Sequence, residues 1–215
     1  MIPTSDTNEL INLSIQSISA IITSLAAVAT IIIAYFGLQT WKDQLRGKAE
    51  YELAKRLLVH IYQLREEISF VRNPWQVGKE FENAMKENKI EGDRIYNPDI
   101  KERTQEAIYG IRWKELSQPL TILLADKLEA EAVWGSDIVD LMNPIFEKVK
   151  QLHAAIGEYL NHLHYSVDGQ PDLTLAYYSV MSDSSDKNGE DTFSDELTKI
   201  IEDIQDYLKS KLRLS

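Results

Sequence analysis

Residues 10–41 form a run of thirty-two positions without a charged side chain, and no other property restricts the fold of the chain as strongly. About 20 apolar residues rising ~1.5 Å each cross a hydrocarbon layer of ~30 Å, so this run is long enough to span a bilayer with tilt or an extra turn. Its centre, residues 21–36, consists of Ile, Ala, Thr, Ser, Leu and Val and closes with Tyr35 and Phe36. We read it as a transmembrane helix. The competing reading is a buried central helix of a soluble protein, but such helices are usually shorter and carry a charge. A cleaved signal peptide needs a basic segment ahead of its apolar core, whereas residues 1–9 hold Asp6 and Glu9 and neither Lys nor Arg. The span is therefore expected to stay in the mature protein.

Its far flank carries Lys42, Arg46, Lys48, Lys55 and Arg56. Basic residues mark the cytoplasmic side of a span, and Tyr35 and Trp41 sit where aromatic rings meet the headgroups. Tyr35, Trp41, Lys42, Arg46 and Lys48 are thus the expected interface anchors. The predicted topology in a bacterial inner membrane is an extracytoplasmic N-terminus (residues 1–9), one span (10–41), a juxtamembrane stalk helix (42–72) and a cytoplasmic helical domain (73–215).

Projected at 100° per residue, Gln16, Ala20, Thr23, Ala27, Thr30, Ala34, Gly37 and Trp41 fall on one stripe about 100° wide, spaced by fours and threes as in a heptad repeat. The opposite face carries Ile18, Ile22, Leu25, Ile32, Ile33 and Phe36, which suit lipid. Helices in membranes associate through small and hydroxylated residues, which permit close approach and hydrogen bonds of about 0.6–2 kcal/mol each. With one span per chain, the partner helix is expected from another copy, so the chain is expected to be a homo-oligomer. Two readings of the stripe stay open: a packing seam in a dimer or small bundle, and a ring of helices whose Gln16, Thr23 and Thr30 line a gated pathway. No ionisable residue lies inside the run, which argues against a proton relay within it.

Acidic residues outnumber basic ones, 34 to 23, for a net charge of −11. Such a chain repels phosphate backbones, so direct nucleic-acid binding is not expected. Anionic inner-leaflet lipids account for the juxtamembrane basic residues. The absence of cysteine removes disulfides, thiolate catalysis and thiolate metal sites.

The rest of the chain reads as helices. Leu45, Leu53, Leu57, Ile61, Leu64, Ile68 and Val71 recur at threes and fours with one wider gap. No proline interrupts the chain between the span and Asn73-Pro74, so span and stalk are expected to form one helix of about 60 residues and ~90 Å, able to carry order on the cytoplasmic side into the membrane. A polar helix at residues 79–88 is followed by a turn at Glu91-Gly92-Asp93. Asn97-Pro98 is an N-cap with a first-turn proline, backed by Asp99 and Glu102. The helix it opens carries Ile100, Ala107, Ile108, Ile111 and Leu116. Ser117 is expected to cap a new helix with Pro119 in its first turn, Leu120, Leu123, Leu124 and Leu128 on one face and Gly135 as its stop. Ser136 opens another, kinked or restarted at Pro144, which carries Ile145, Phe146, Val149, Leu152, Ile156, Tyr159, Leu160 and Leu163. A turn at residues 168–171, a short element from Asp172 to Tyr178, a polar loop at 182–191 and a closing helix at 193–212 complete an all-α fold.

Candidate chemistry is sparse. Arg56 and His60 lie one helical turn apart, so the Arg could steady a phosphate while the His acts as acid or base. Helical ribonucleases of the HEPN type separate their Arg and His by four to six residues, whereas three lie between Arg56 and His60, one short of that pattern, and no second polar partner is recognisable. His162 and His164 diverge by about 200° on a helix and His153 falls on the far side again, so no metal is expected there. Asp183, Asp186, Asp191 and Asp195 lack the glycine register of an EF-hand and read as a solvated loop. There is no phosphate-cradling glycine loop, nucleophile elbow or kinase signature, and neither a cofactor nor an enzyme of a familiar class is expected. Trp75, Trp113 and Trp134 fit core and subunit interface, or a pocket for a small signalling ligand.

This organisation, one N-terminal span with the Gln16/Thr23/Thr30/Gly37 seam followed by a helical domain bearing Arg56 and His60, resembles small bacterial membrane effectors of phage-defence systems. Among these it looks most like the membrane pore proteins that accompany type VI-B CRISPR ribonucleases. The resemblance implies a homo-oligomer that disturbs the inner membrane when infection is sensed. The alternatives are a non-conducting scaffold that recruits a cytoplasmic protein and a membrane-tethered HEPN-like nuclease.

Overall fold

In the computed structural model residues 4–73, 78–92, 97–165, 176–182 and 191–212 are described, and within them the side chains other than those of residues 4–12, 15, 165 and 176. They form six helices and, among the described residues, no strand: α1 (Thr4–Arg72), α2 (Gly78–Glu87), α3 (Pro98–Trp134), α4 (Ser136–Tyr165), α5 (Ala176–Met181) and α6 (Thr192–Leu212). The all-α class read from the sequence is the observed one. The chain divides into two compact units, residues 1–49 and 50–215.

In the first unit every described side chain from Leu13 to Trp41 is exposed, including Ile21, Leu25, Ile31 and Ile33. Among the described residues α1 is the one helix long and apolar enough to cross a membrane, with a mean hydropathy of 2.2 over its most apolar window and no protein covering it. Leu45, read from the sequence as the start of the stalk's apolar face, is also exposed.

The second unit holds the core. Leu53, Leu57, Ile61, Leu64, Ile68 and Val71 of α1 are all at most 2% exposed and pack with Leu116 and Leu123 of α3. Ile138, Met142, Ile145, Val149 and Leu152 give α4 its buried stripe, and Phe193, Leu197, Ile201, Ile204 and Leu208 that of α6. Each fully buried Leu or Ile contributes roughly 1.5–3 kcal/mol relative to exposure, and their 3.6-residue period is what makes the segments helical in context. Tyr109, Tyr159, Tyr177 and Tyr178 meet edge-on or tilted at the far end. Burial, reinforced by the neighbouring Tyr109, Tyr178 and Tyr177, pushes the Tyr159 hydroxyl above its ordinary range.

Helix boundaries follow local chemistry. Asn97 Oδ1 accepts from the Asp99 and Ile100 amides at 3.0 and 3.4 Å, as its place before Pro98 requires. Gly135 stops α3 at φ +84, a region a side chain rarely adopts, with its amide donating to Glu131 O at 2.8 Å. The stops at Arg72 and Gly135 and the start at Ser136 match the sequence reading.

A break at Ser117 is not observed: α3 is continuous from Pro98 to Trp134, with Pro119 inside it. Ser117 Oγ donates to Lys114 O at 2.7 Å instead of capping, and Thr121 Oγ1 donates to Ser117 O at 2.8 Å. The burial of Leu116 and Leu123 on either side carries the helix past the proline. α4 likewise passes through Pro144 without restarting. The face assigned to Leu120, Leu123, Leu124 and Leu128 is only partly internal: Leu123 is buried, but Leu124 and Leu128 are 42% and 64% exposed. Asp93, Trp75, the 168–171 turn, Asp172 and the loop aspartates Asp183 and Asp186 lie outside the described residues.

Candidate functional site

The predicted seam, Gln16, Ala20, Thr23, Ala27, Thr30, Ala34 and Gly37, is uninterrupted helix with every side chain open, and the anchors Tyr35, Trp41, Lys42, Arg46 and Lys48 are exposed as well. The hydroxyls satisfy themselves within the helix. Thr23 Oγ1 donates to Ser19 O at 2.9 Å and Thr30 Oγ1 to Ala26 O at 2.8 Å; Ser17, Ser24 and Thr40 bond four residues back in the same way. A polar atom in hydrocarbon costs several kcal/mol if unbonded, so these bonds let the face meet lipid or a second helix without water. A shallow concavity of about 340 Å³ at Ala20, Ile21, Ser24, Leu25 and Val28 shares only Ala20 with the predicted stripe. At 100° per residue it faces the neighbouring side of the helix.

Arg56 and His60 are brought to a common partner that sequence reasoning missed. Asp126 of α3, whose side chain is 8% exposed, accepts from Arg56 Nε at 3.0 Å through one oxygen and meets His60 Nδ1 through the other. Arg56 Nη2 also pairs with Glu129 one turn along α3. The signal was an acid on an apolar face: Asp126 lies three positions after Leu123 and four before Ala130, both buried. Chemically the arrangement fixes one imidazole nitrogen on a carboxylate. Nε and Nη2, the two nitrogens of one guanidinium edge, are already held by carboxylates, so the cluster pins α1 to α3 as it stands.

Two buried arginines extend this pattern. Arg112, 1% exposed, donates to Glu80 at 2.5 and 2.9 Å and to the carbonyls of Val71 and Asn73 at 3.2 and 2.8 Å. It thereby satisfies the open carbonyl end of α1. Arg72, 2% exposed, donates to the Val180 and Ser182 carbonyls at 2.6 and 2.7 Å at the end of α5, and to Asp191 at 2.8 Å, with its guanidinium 4.4 Å from the Phe193 ring centroid. Asp191 is therefore an ion-pair partner and, through a 3.1 Å bond from the Ser194 amide, the cap of α6; it is not part of a solvated loop. Burial pushes its carboxyl up, but hydrogen bonds from Arg72 and Ser194 and the Arg72 charge outweigh that and hold it below its ordinary range. Arg112 is visible in the sequence as a charge between Ile108 and Leu116 on the core stripe; nothing in the sequence marks Asp191.

The histidines separate as their spacing implies. His153 lies tilted against Trp113 with ring centroids 4.3 Å apart, His162 lies 6.2 Å from the Tyr177 ring, and His164 Nδ1 is 2.5 Å from a Glu102 oxygen. Among the described residues no three metal-ligating side chains converge. Trp113 and Trp134 pack half-buried against the core.

No protein-family model, no curated protein and no solved structure matches the chain.

Proposed function

We propose that this chain is a homo-oligomeric protein of the bacterial inner membrane, anchored by residues 10–41 with its helical unit in the cytoplasm, and that its assembly perturbs the bilayer as an effector, in the manner of antiphage membrane proteins. The observation that carries the reading is the complete exposure of an apolar helix from Leu13 to Trp41 with one face of small and hydroxylated residues. Lipid can cover the Ile-rich face. The Ala, Thr and Gly face gains more from another helix, because its backbone can be approached closely and its hydroxyls need no water. Self-bonded threonines favour a seam that packs dry at rest, with conduction requiring subunits to be driven apart.

The test is the mass of the full chain in detergent by light scattering, followed by conductance in planar bilayers. A ring of five or more subunits that passes current, lost in Thr23→Leu/Thr30→Leu, is the expected result. A monomer or dimer that passes none overturns the pore and leaves a membrane scaffold. That second reading is favoured by the exposed Leu124 and Leu128 on α3, which could seat a cytoplasmic protein.

A further inference from the structure

We infer that the groove between α3 and α4 is a binding site for a small aromatic carboxylate or a comparably planar, apolar anion; this inference does not depend on whether the span conducts. The groove encloses about 410 Å³, within the ~300–1,000 Å³ typical of small-molecule sites. Its floor is apolar and ring-rich: Phe146 and Val149 are buried in the core, and Trp113 and Leu120 are half buried against it. Trp113 is already tilted against the His153 ring, which leaves a planar ligand one aromatic wall and one imidazole to lie along.

The rim supplies the charge. Lys127 is half buried at the lip, with its Nζ 2.9 Å from Asn143 Oδ1 and 4.8 Å from the Phe146 centroid. Among the described residues no carboxylate pairs with it, although the chain has 34 acidic residues to 23 basic ones. Lys150, on the opposite wall, neutralises Glu147 at 2.7 Å, the one acid lining the groove. An ammonium held by an amide and a ring at the edge of an apolar floor is complementary to a ligand with an apolar body and one negative end. A neutral apolar ligand would leave Lys127 unused, and a cation would be repelled by it. Charge thus selects the occupant within the class that the shape admits.

The experiment uses the full chain in lipid nanodiscs and 4-benzoylbenzoate, a photoactivatable aromatic carboxylate, beside uncharged 4-methylbenzophenone. The expected result is saturable labelling by the carboxylate of peptides within residues 113–127 and 143–154. Lys127→Gln should raise its half-saturating concentration about tenfold, equivalent to one charge-assisted hydrogen bond, and leave the neutral probe unaffected. Ala154→Trp should block both probes; Leu124→Trp fills the groove from the α3 side and replaces it if the first variant unfolds. Labelling that does not saturate, or that Lys127→Gln leaves unchanged, overturns the proposal. A groove that takes no probe while Leu124→Cys forms disulfide-linked dimers also overturns it, in favour of a second copy of the chain.

Discussion

Arg112 shows how a single side chain can determine how three helices meet. Four of its five N–H donors reach a carboxylate on α2 and two carbonyls at the end of α1 from a site 1% exposed on α3. Removing one partner of a buried ion pair leaves the other uncompensated, which costs about 3–5 kcal/mol. Arg112→Ala should therefore lower the stability of the helical unit by that amount, read as the denaturation midpoint of far-ultraviolet circular dichroism of the full chain in detergent. Glu80→Gln should cost less, because the Val71 and Asn73 bonds survive it; equal losses would mean that the carbonyl contacts contribute nothing. Asp191 adds a pH dependence of defined sign. Its folded carboxyl lies below the ordinary 3.8, so the stability it confers is complete above the unfolded value and is lost as pH falls below about 4 toward the folded one. Glu67 works the other way, since burial and then Glu115 raise its carboxyl above the ordinary 4.5. It destabilises at neutral pH and is relieved as pH falls toward 4.5. The full chain should thus lose stability below pH 4 in a partly Asp191-dependent manner, and Asp191→Asn should flatten that limb of the curve; an unchanged limb would show that Arg72 is satisfied by carbonyls alone.

α3 illustrates what patterns of residues reveal about elements and where they mislead. Ser117 followed by Pro119 has the chemistry of a helix start, yet α3 runs through both. Leu116 and Leu123 are buried one turn before and one turn after Pro119, and tertiary burial at both ends outweighs a local cost of ~3 kcal/mol for an interior proline. Pro119→Ala should restore an amide to the helix and stabilise the unit by about 1 kcal/mol, after discounting the extra freedom of the unfolded chain. A destabilised variant would mean that the proline's bend is needed to seat Leu116 and Leu123 together. Helix ends set by side chains within three or four residues, at Asn97, Gly135 and Ser136, were legible for the same reason that Ser117 was not: nothing distant competes with them. The core stripes of α1, α4 and α6 were legible through their period. Asp126 escaped notice because its partners are 66 and 70 positions away, and sequence spacing carries no information about such pairs.

At the scale of the whole molecule, most of the exposed apolar residues lie apart from the stretches that hold the buried core. The buried core begins at Leu53, whereas exposed Leu, Ile, Val and Phe are concentrated between Leu13 and Leu45. A soluble protein with a central helix would show the reverse, with its most apolar helix carrying the most burial. An exposed apolar surface of that extent is of the kind that lipid or other chains cover. A chain beginning at Lys42 should accordingly be water-soluble, keep the helical circular dichroism of α2 to α6 and unfold cooperatively at a midpoint within a few degrees of the full chain's second unit. Full-length protein should require detergent, and on cell fractionation should sediment with membranes and resist carbonate extraction while the shortened chain stays in the soluble fraction. If the shortened chain instead aggregates or loses its helices, residues 10–41 belong to the core of a soluble fold, and both the transmembrane span and the assembly built on it fall together.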